Sequence, residues 1–365
     1  MLCNFYIIFI LLYAAIIAGL LPGIGKAWRR TMPNFDTWPA ISIIVPVRDG
    51  EGTIRQCLNA LVVQDYPGKN LEILVVDDDS RDRSLEITNK LASQYAFVKV
   101  LENEKSGKWQ STKKSALEVA VANASGSILL FTDADCVPPR TWAKVMVSRF
   151  SKETGLVAGF SPQRTVGKKK WNGFLFLDSL AAAFVSAASI GWGRGITCTG
   201  RNLAVCTEAL RDVEGYRNTP DSLSGDDDFL LQAISKSRGW QVGYCFEPAS
   251  FVNATGPKNL KHFIRQKQRH ISAGKHYGFL AQLGFGSFHF MNYLLWISAF
   301  AGIFVDARLI VPLVIKIIID YSALGYFAGK LRIAVPLYSF CYWEILFPLY
   351  NALASPVAFF RKISW

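Results

Sequence analysis

The sequence predicts an α/β protein with a mostly parallel sheet, flanked by transmembrane helices. Two observations predict it. From about residue 40 to 278, short apolar runs alternate with helical patterns, and on either side the chain becomes long, apolar and almost uncharged. A content of 51% hydrophobic and 19% charged residues excludes a disordered or collagen-like chain. The length of 365 residues allows one soluble domain plus membrane segments.

Taken in order, Phe5 to Leu21 is long enough to cross a bilayer once and is followed by Lys26, Arg29 and Arg30, giving an N-terminal transmembrane helix over 1–25. A cleaved signal peptide is the rival reading, but its positive charge would precede the apolar core. Next come Ile41 to Val47 and a helix near Thr53 to Val63, then Leu71 to Val76 and a helix near Ser84 to Gln94. Phe97 to Leu101, a helix near Ser111 to Ala122, and Ile128 to Phe131 continue the series. Such βαβ repetition places helices over a largely parallel sheet in a domain spanning 40–278. Residues 279–365 form a C-terminal membrane region of two or three helices, the middle one in question because it carries Lys316 and Asp320. Phe174 to Trp192 is apolar too, yet a crossing there would put Asp133 and Asp226 on opposite sides. We expect it at the membrane surface or within the fold, beside a loop at Gly191 to Gly195.

In this chain of net charge +12, the basic cluster after the first apolar run leads us to expect the central domain on the cytoplasmic side of an integral protein of the plasma membrane. Attraction to anionic lipid accounts for much of that charge; no nucleic-acid motif accompanies it, so no nucleic-acid partner is expected. The seven scattered cysteines contain no CxxC pair, which suggests reduced thiols and no zinc site. Asn123-Ala124-Ser125 and Asn253-Ala254-Thr255 match glycosylation acceptors but would go unused in the cytoplasm.

Ligands of open α/β sheets bind at the carboxyl ends of the strands. Polar clusters recur there: Pro46, Arg48, Asp49 and Glu51; then Asp77, Asp78 and Asp79; then Asp133 and Asp135. Each alone reads more readily as turn and cap chemistry. Their recurrence points to a ligand or cation, because carboxylates gathered on one edge repel. In Thr132-Asp133-Ala134-Asp135 the two carboxylates point the same way along an extended chain and can address one hard cation, magnesium or manganese, that bridges a diphosphate. Gly107-Lys108 precedes a helix and offers an ammonium to phosphate, though without P-loop spacing. There is no GxGxxG, HExxH or GxSxG, so dehydrogenase, zinc-protease and esterase readings lose their main support.

Ser224-Gly225-Asp226-Asp227-Asp228 opens a helix-like stretch, Phe229 to Ser237, and is either an acidic cap or the source of a general base for a hydroxyl acceptor. Asn259 to Tyr277 is strongly basic. That suits a lipid surface, and Gln266 with Arg269 shares one helical face that can hold a diphosphate leaving group.

This ordered set resembles family 2 of the glycosyltransferases, with the GT-A nucleotide-sugar fold, over residues 40 to 275. The matching pieces are Ile43 to Arg48, Val75 to Asp78, Gly107-Lys108, Thr132 to Asp135, Gly200-Arg201-Asn202, Ser224 to Asp228 and Gln266 to His270. The resemblance implies that Pro46, Arg48, Glu51, Asp77 and Asp78 hold the nucleoside. It also implies that Asp133 and Asp135 form the metal and diphosphate motif with Asp135 favoured as direct ligand, that Asp226 is the catalytic base, and that Gln266 and Arg269 belong to a Gln-x-x-Arg-Trp motif. His270 stands where that motif has Trp, and Gly225 where an acidic residue often precedes the base.

The function expected is inverting transfer from a nucleotide-diphosphate sugar, with UDP the expected nucleotide, to a hydroxyl of a lipid acceptor such as a ceramide, isoprenoid, carotenoid or diacylglycerol. Metal, Arg269 and Lys108 would stabilise the departing diphosphate. The alternatives are a processive polysaccharide synthase, disfavoured by His270 and by few spans, and a catalytically silent scaffold, disfavoured by the full acidic set. Neither sugar nor oligomeric state is legible.

Overall fold

The computed structural model describes residues 2–29, 38–67, 70–103 and 111–360. Its centre is a seven-stranded sheet, in the order β3-β2-β1-β4-β8-β6-β9. The strands are β1 (Ile41–Val47), β2 (Leu71–Asp77), β3 (Val98–Glu102), β4 (Ile128–Phe131), β6 (Thr154–Gly159), β8 (Leu203–Cys206) and β9 (Gln241–Cys245). Residues β5 (Cys136–Val137), β7 (Gln163–Arg164) and β10 (Asn253–Thr255) make a small second sheet. The expected parallel arrangement holds for every neighbouring pair of the large sheet except the two involving β8, which runs antiparallel to β4 and to β6.

Period-two alternation sends β1 side chains to opposite faces: Ile43 and Val45 to one core, Ile44 to the other. The first core is closed by α2 (Ile54–Leu61), α3 (Ser84–Ala92) and α5 (Trp142–Val147). The second is closed by α4 (Thr112–Asn123), α7 (Thr207–Asp212) and α8 (Asp226–Lys236). That second core continues without a break into α1 (Leu2–Trp28), α6 (Lys169–Gly191), α10 (Phe279–Gly302), α11 (Val311–Lys330) and α12 (Leu337–Phe360). Between them lies α9 (Leu260–Ala273), packed on α12.

Among the described residues, three helices are long and apolar enough to cross a membrane: Ile7–Trp28, Lys169–Gly191 and Ala307–Lys330. The second is 67% buried over its apolar window, in keeping with a place inside the fold. Its contact with α1 is close enough to require glycine on both sides. A Cβ on Gly23 would lie 2.3 Å from the Ala188 carbonyl oxygen, and one on Gly191 would strike the Gly23 carbonyl. The Gly191 to Gly195 loop is tied down rather than loose, since Trp192 donates its indole N–H to the Gly19 carbonyl and lies under the Lys26 ammonium.

The doubtful middle helix, α11, forms because its charges are paired inside the bundle. Lys316 is 1% exposed and meets Asp320 at 2.9 Å and Glu344 on α12. The Tyr13 hydroxyl from α1 donates to Asp320 at 2.7 Å. Large apolar side chains elsewhere on α1, α10, α11 and α12, among them Leu11, Phe300, Ile318 and Leu353, face outward. A surface that apolar on several adjacent helices is suited to lipid.

Candidate active site

Sheet direction decides which loops meet. Phe131 pairs with Leu203 across the antiparallel β4-β8 ladder, and Leu203 also pairs with Ala158. The loop leaving β4, with Asp133 and Asp135, therefore stands beside the loop entering β8, with Thr197 to Arg201. Both line a cavity of about 970 Å3 at the strand ends. Asp226, Gln266 and Arg269 line it too, as does Pro46.

Helix α8 begins at Asp226, three residues earlier than the helix-like stretch suggests, because Gly225 adopts φ +95° and turns the chain there. A Cβ on Gly225 would lie 2.7 Å from that of Ala273 on α9, which accounts for glycine where an acidic residue would otherwise fit. The three consecutive carboxylates then divide. Asp227 accepts the Gly200 amide at 2.5 Å; Asp228 accepts the Cys198 amide at 2.8 Å and the Tyr277 hydroxyl at 2.5 Å. Asp226, 6% exposed, keeps an oxygen without a hydrogen-bond partner. Burial and the adjacent Asp227 push its carboxyl up to about 7, a value suited to taking a proton near neutrality.

Asp133 accepts from the Lys113 ammonium at 2.6 Å. Burial works against its ionisation, but Lys113, Arg201 and Arg269 hold it below the usual carboxylate range. Asp135 goes the other way, raised by burial and by Asp133 beside it. Two crowded carboxylates of opposite tendency are a donor set that a hard divalent cation fits, with other oxygens completing its shell. Among the described residues, Cys198, Asp227 and Asp228 also bring donor atoms within 4.8 Å of one another. That set does not fit such a cation. Burial and the neighbouring acids push the Cys198 thiol up, and both carboxylates already accept backbone amides.

The nucleoside candidates occupy the neighbouring strand ends. Arg48 reaches Thr112 at 3.0 Å and Asp78 at 3.7 Å, and Asp78 accepts from Asn103. Asp77 caps the Ser80 amide and retains one unpartnered buried oxygen. Glu51 turns to Arg83, at 3.3 Å, and of the five nucleoside candidates only Pro46 lines the cavity; Arg48, Glu51, Asp77 and Asp78 do not. Asp49 and Asp79 serve the turns, both at positive φ. Gly107-Lys108 lies outside the described residues. Sequence reasoning missed Lys113, Cys198 and Tyr277, and it singled out Asp227 and Asp228 without their separate roles, which depend on contacts across the fold. Arg201 carried a signal as part of Gly200-Arg201-Asn202, as Asp227 and Asp228 did within Ser224 to Asp228.

Among solved structures, the fold is similar to that of the mannosyltransferase PcManGT from Pyrobaculum calidifontis in complex with GDP-Man and Mn2+. The TM-score is 0.59 at 19% identity, covering 97% of this chain and 98% of that one. The architecture is thus that of the GT-A nucleotide-sugar transferases. The chain belongs to family 2 of the glycosyltransferases: the model "Glycosyl transferase family 2" matches residues 42–198, and "Glycosyl transferase family group 2" matches residues 169–354, half of the chain. It is 26% identical over 247 residues to the probable glycosyltransferase YdaM of Bacillus subtilis, covering 66% of this chain and 56% of that protein. It is 24% identical over 214 residues to the beta-monoglucosyldiacylglycerol synthase of Synechocystis sp., covering 58% and 43%. The chain spans about half the length of these curated relatives.

Proposed function

We propose that the protein is a membrane-bound, inverting glycosyltransferase that moves a sugar from a UDP-sugar to a hydroxyl of a lipid or isoprenoid acceptor. The observation that carries this reading is the course of the cavity. It starts at Asp133 and Asp226 and runs on between helices of the apolar bundle, past Leu20, Phe285, Phe347 and Asp320. A polar end for the donor and an apolar end among lipid-facing helices suit an acceptor with a hydroxyl head and a hydrocarbon body. The similarity to a diacylglycerol-type synthase supports the same class.

In this reading Asp226 takes the proton of the acceptor hydroxyl as its oxygen attacks the anomeric carbon. The bond to the diphosphate breaks on the opposite face, so the configuration inverts. A magnesium or manganese ion held by Asp133 and Asp135 would supply charge neutralisation at the diphosphate. Arg269 and Gln266, from the cavity wall, bind the same leaving group, and Arg48, Asp77 and Asp78 orient the nucleoside. The catalytic domain faces the cytoplasm, where nucleotide sugars are charged and soluble.

The test incubates the full chain in lipid with labelled UDP-sugars, GDP-mannose as comparison, and host membrane extract, with and without manganese. Label should enter the organic phase only with metal, and Asp226→Asn should abolish it. Label in a large water-soluble polymer would replace this reading with a processive synthase. Absence of incorporation from every donor would overturn it.

A further inference from the structure

A second cavity, of about 530 Å3, opens where the first residues of α6 and α9 meet the side of α12. Its two walls differ in chemistry. One carries Lys168 and Lys258, both exposed, and the Lys168 ammonium donates to the Lys258 backbone carbonyl at 2.8 Å, which holds the Lys168 side chain beside the Lys258 segment. Lys169, Lys170 and Lys261 are exposed close by in the chain, and none of the five makes an ion pair among the described residues. No carboxylate lines the cavity. The other wall is Leu346, Leu349 and Leu353 of α12; Leu349 and Leu353 are 55% and 66% exposed and belong to the apolar belt. Trp171 closes the floor, donating its indole N–H to the Pro257 carbonyl and so fixing the Lys258 segment to α6.

We propose that this groove is a binding site for an anionic phospholipid of the surrounding bilayer. Its phosphate sits between Lys168 and Lys258, and one acyl chain lies along the α12 leucines. Ammonium groups without a carboxylate partner, beside the starts of two helices, attract an anion, and the adjoining leucine wall selects one that carries hydrocarbon. The site is distinct from the cavity of Asp133 and Asp226, the two having only Tyr350 as a common wall. It touches α9 on the helix turns before Gln266 and Arg269, so an occupied groove holds that helix against α6 and α12.

The experiment uses the full chain in phosphatidylcholine vesicles doped with phosphatidylglycerol brominated on one acyl chain, and reads quenching of tryptophan fluorescence. The component lost in Trp171→Phe isolates the groove. Quenching by the anionic lipid should exceed that by equally brominated phosphatidylcholine. The preference should fall about fivefold in Lys168→Gln and about 30-fold when Lys258→Gln is added. Lys168→Arg with Lys258→Arg should keep it, and inorganic phosphate should not displace the lipid. Equal quenching by both lipids, or an unchanged preference in the double glutamine variant with an unchanged melting temperature, would overturn the site. Displacement by inorganic phosphate would overturn the lipid assignment. Because the readout needs no turnover, it stands or falls independently of the glycosyl-transfer reading.

Discussion

The Lys113 ammonium stands 2.6 Å from Oδ1 of Asp133, occupying the carboxylate that a diphosphate-bound metal would use. One side chain therefore both stabilises the ionised acid and competes for it. Replacing Lys113 with Met should tighten manganese binding in the absence of donor, read by electron paramagnetic resonance. The same variant should lower kcat/KM about 10- to 100-fold, because a charged hydrogen-bond partner is lost from the diphosphate end. If metal affinity and kcat/KM move together, Lys113 is only a structural partner.

With Asp226 as the proposed base, proton transfer there would set a pH dependence with a definite sign. Its carboxyl is pushed up to about 7 in the free protein, so below that value it is protonated and cannot accept a proton. The kcat/KM profile should rise about tenfold per pH unit up to near 7 and then level off. Asp226→Asn should bind donor normally and lose about 100- to 10,000-fold in kcat, without that acid limb. An unchanged limb in a variant with residual activity would assign it to another group.

Gly225 has a backbone that L residues rarely adopt and no room for a Cβ beside Ala273. Gly225→Ala should cost about 1 to 3 kcal/mol, visible as a lowered melting temperature, and should reduce turnover by moving Asp226. Adding Ala273→Gly should return only the steric part.

Within the bundle, Lys316 neutralises Asp320 and Glu344 at once. Lys316→Met leaves two buried acids unpaired and should destabilise the protein by about 3 to 5 kcal/mol. Asp320 retains the Tyr13 hydroxyl, so Lys316→Met combined with Glu344→Gln should be milder than Lys316→Met alone. Thermal unfolding in detergent separates the two.

The legible parts of this molecule are those whose signal is local. Strands β1, β2 and β4 lie within a residue of their apolar runs, because strands buried on both faces read as near-continuous apolar runs. Asp133, Asp135, Asp226 and the pair Gln266 and Arg269 were legible as short motifs, and they do line one cavity. What was not legible depends on partners distant in the chain. Four residues, Leu203 to Cys206, carry no mark of their antiparallel direction. Nor does Asp-Asp-Asp reveal that two of its members hold the loop before β8 while the first is left with an unpaired oxygen. The charges of α11 obscured a helix for the same reason, since their partners lie on α1 and α12.

The antiparallel β8 has a kinetic consequence. It fills the slot between β4 and β6, both of which precede it in the chain, so during synthesis those two strands must wait with open edges until residue 206 has emerged. In that interval two rows of unpaired backbone groups are available to any passing strand. The same closure brings the Arg201 segment up to Asp133, so the join between β4 and β6 and the meeting of these two loops at the donor end of the cavity form in one step, before β9 adds to the edge of β6. Premature edge pairing would then produce an aggregation-prone species that lacks the site altogether, rather than a folded protein with a weakened one.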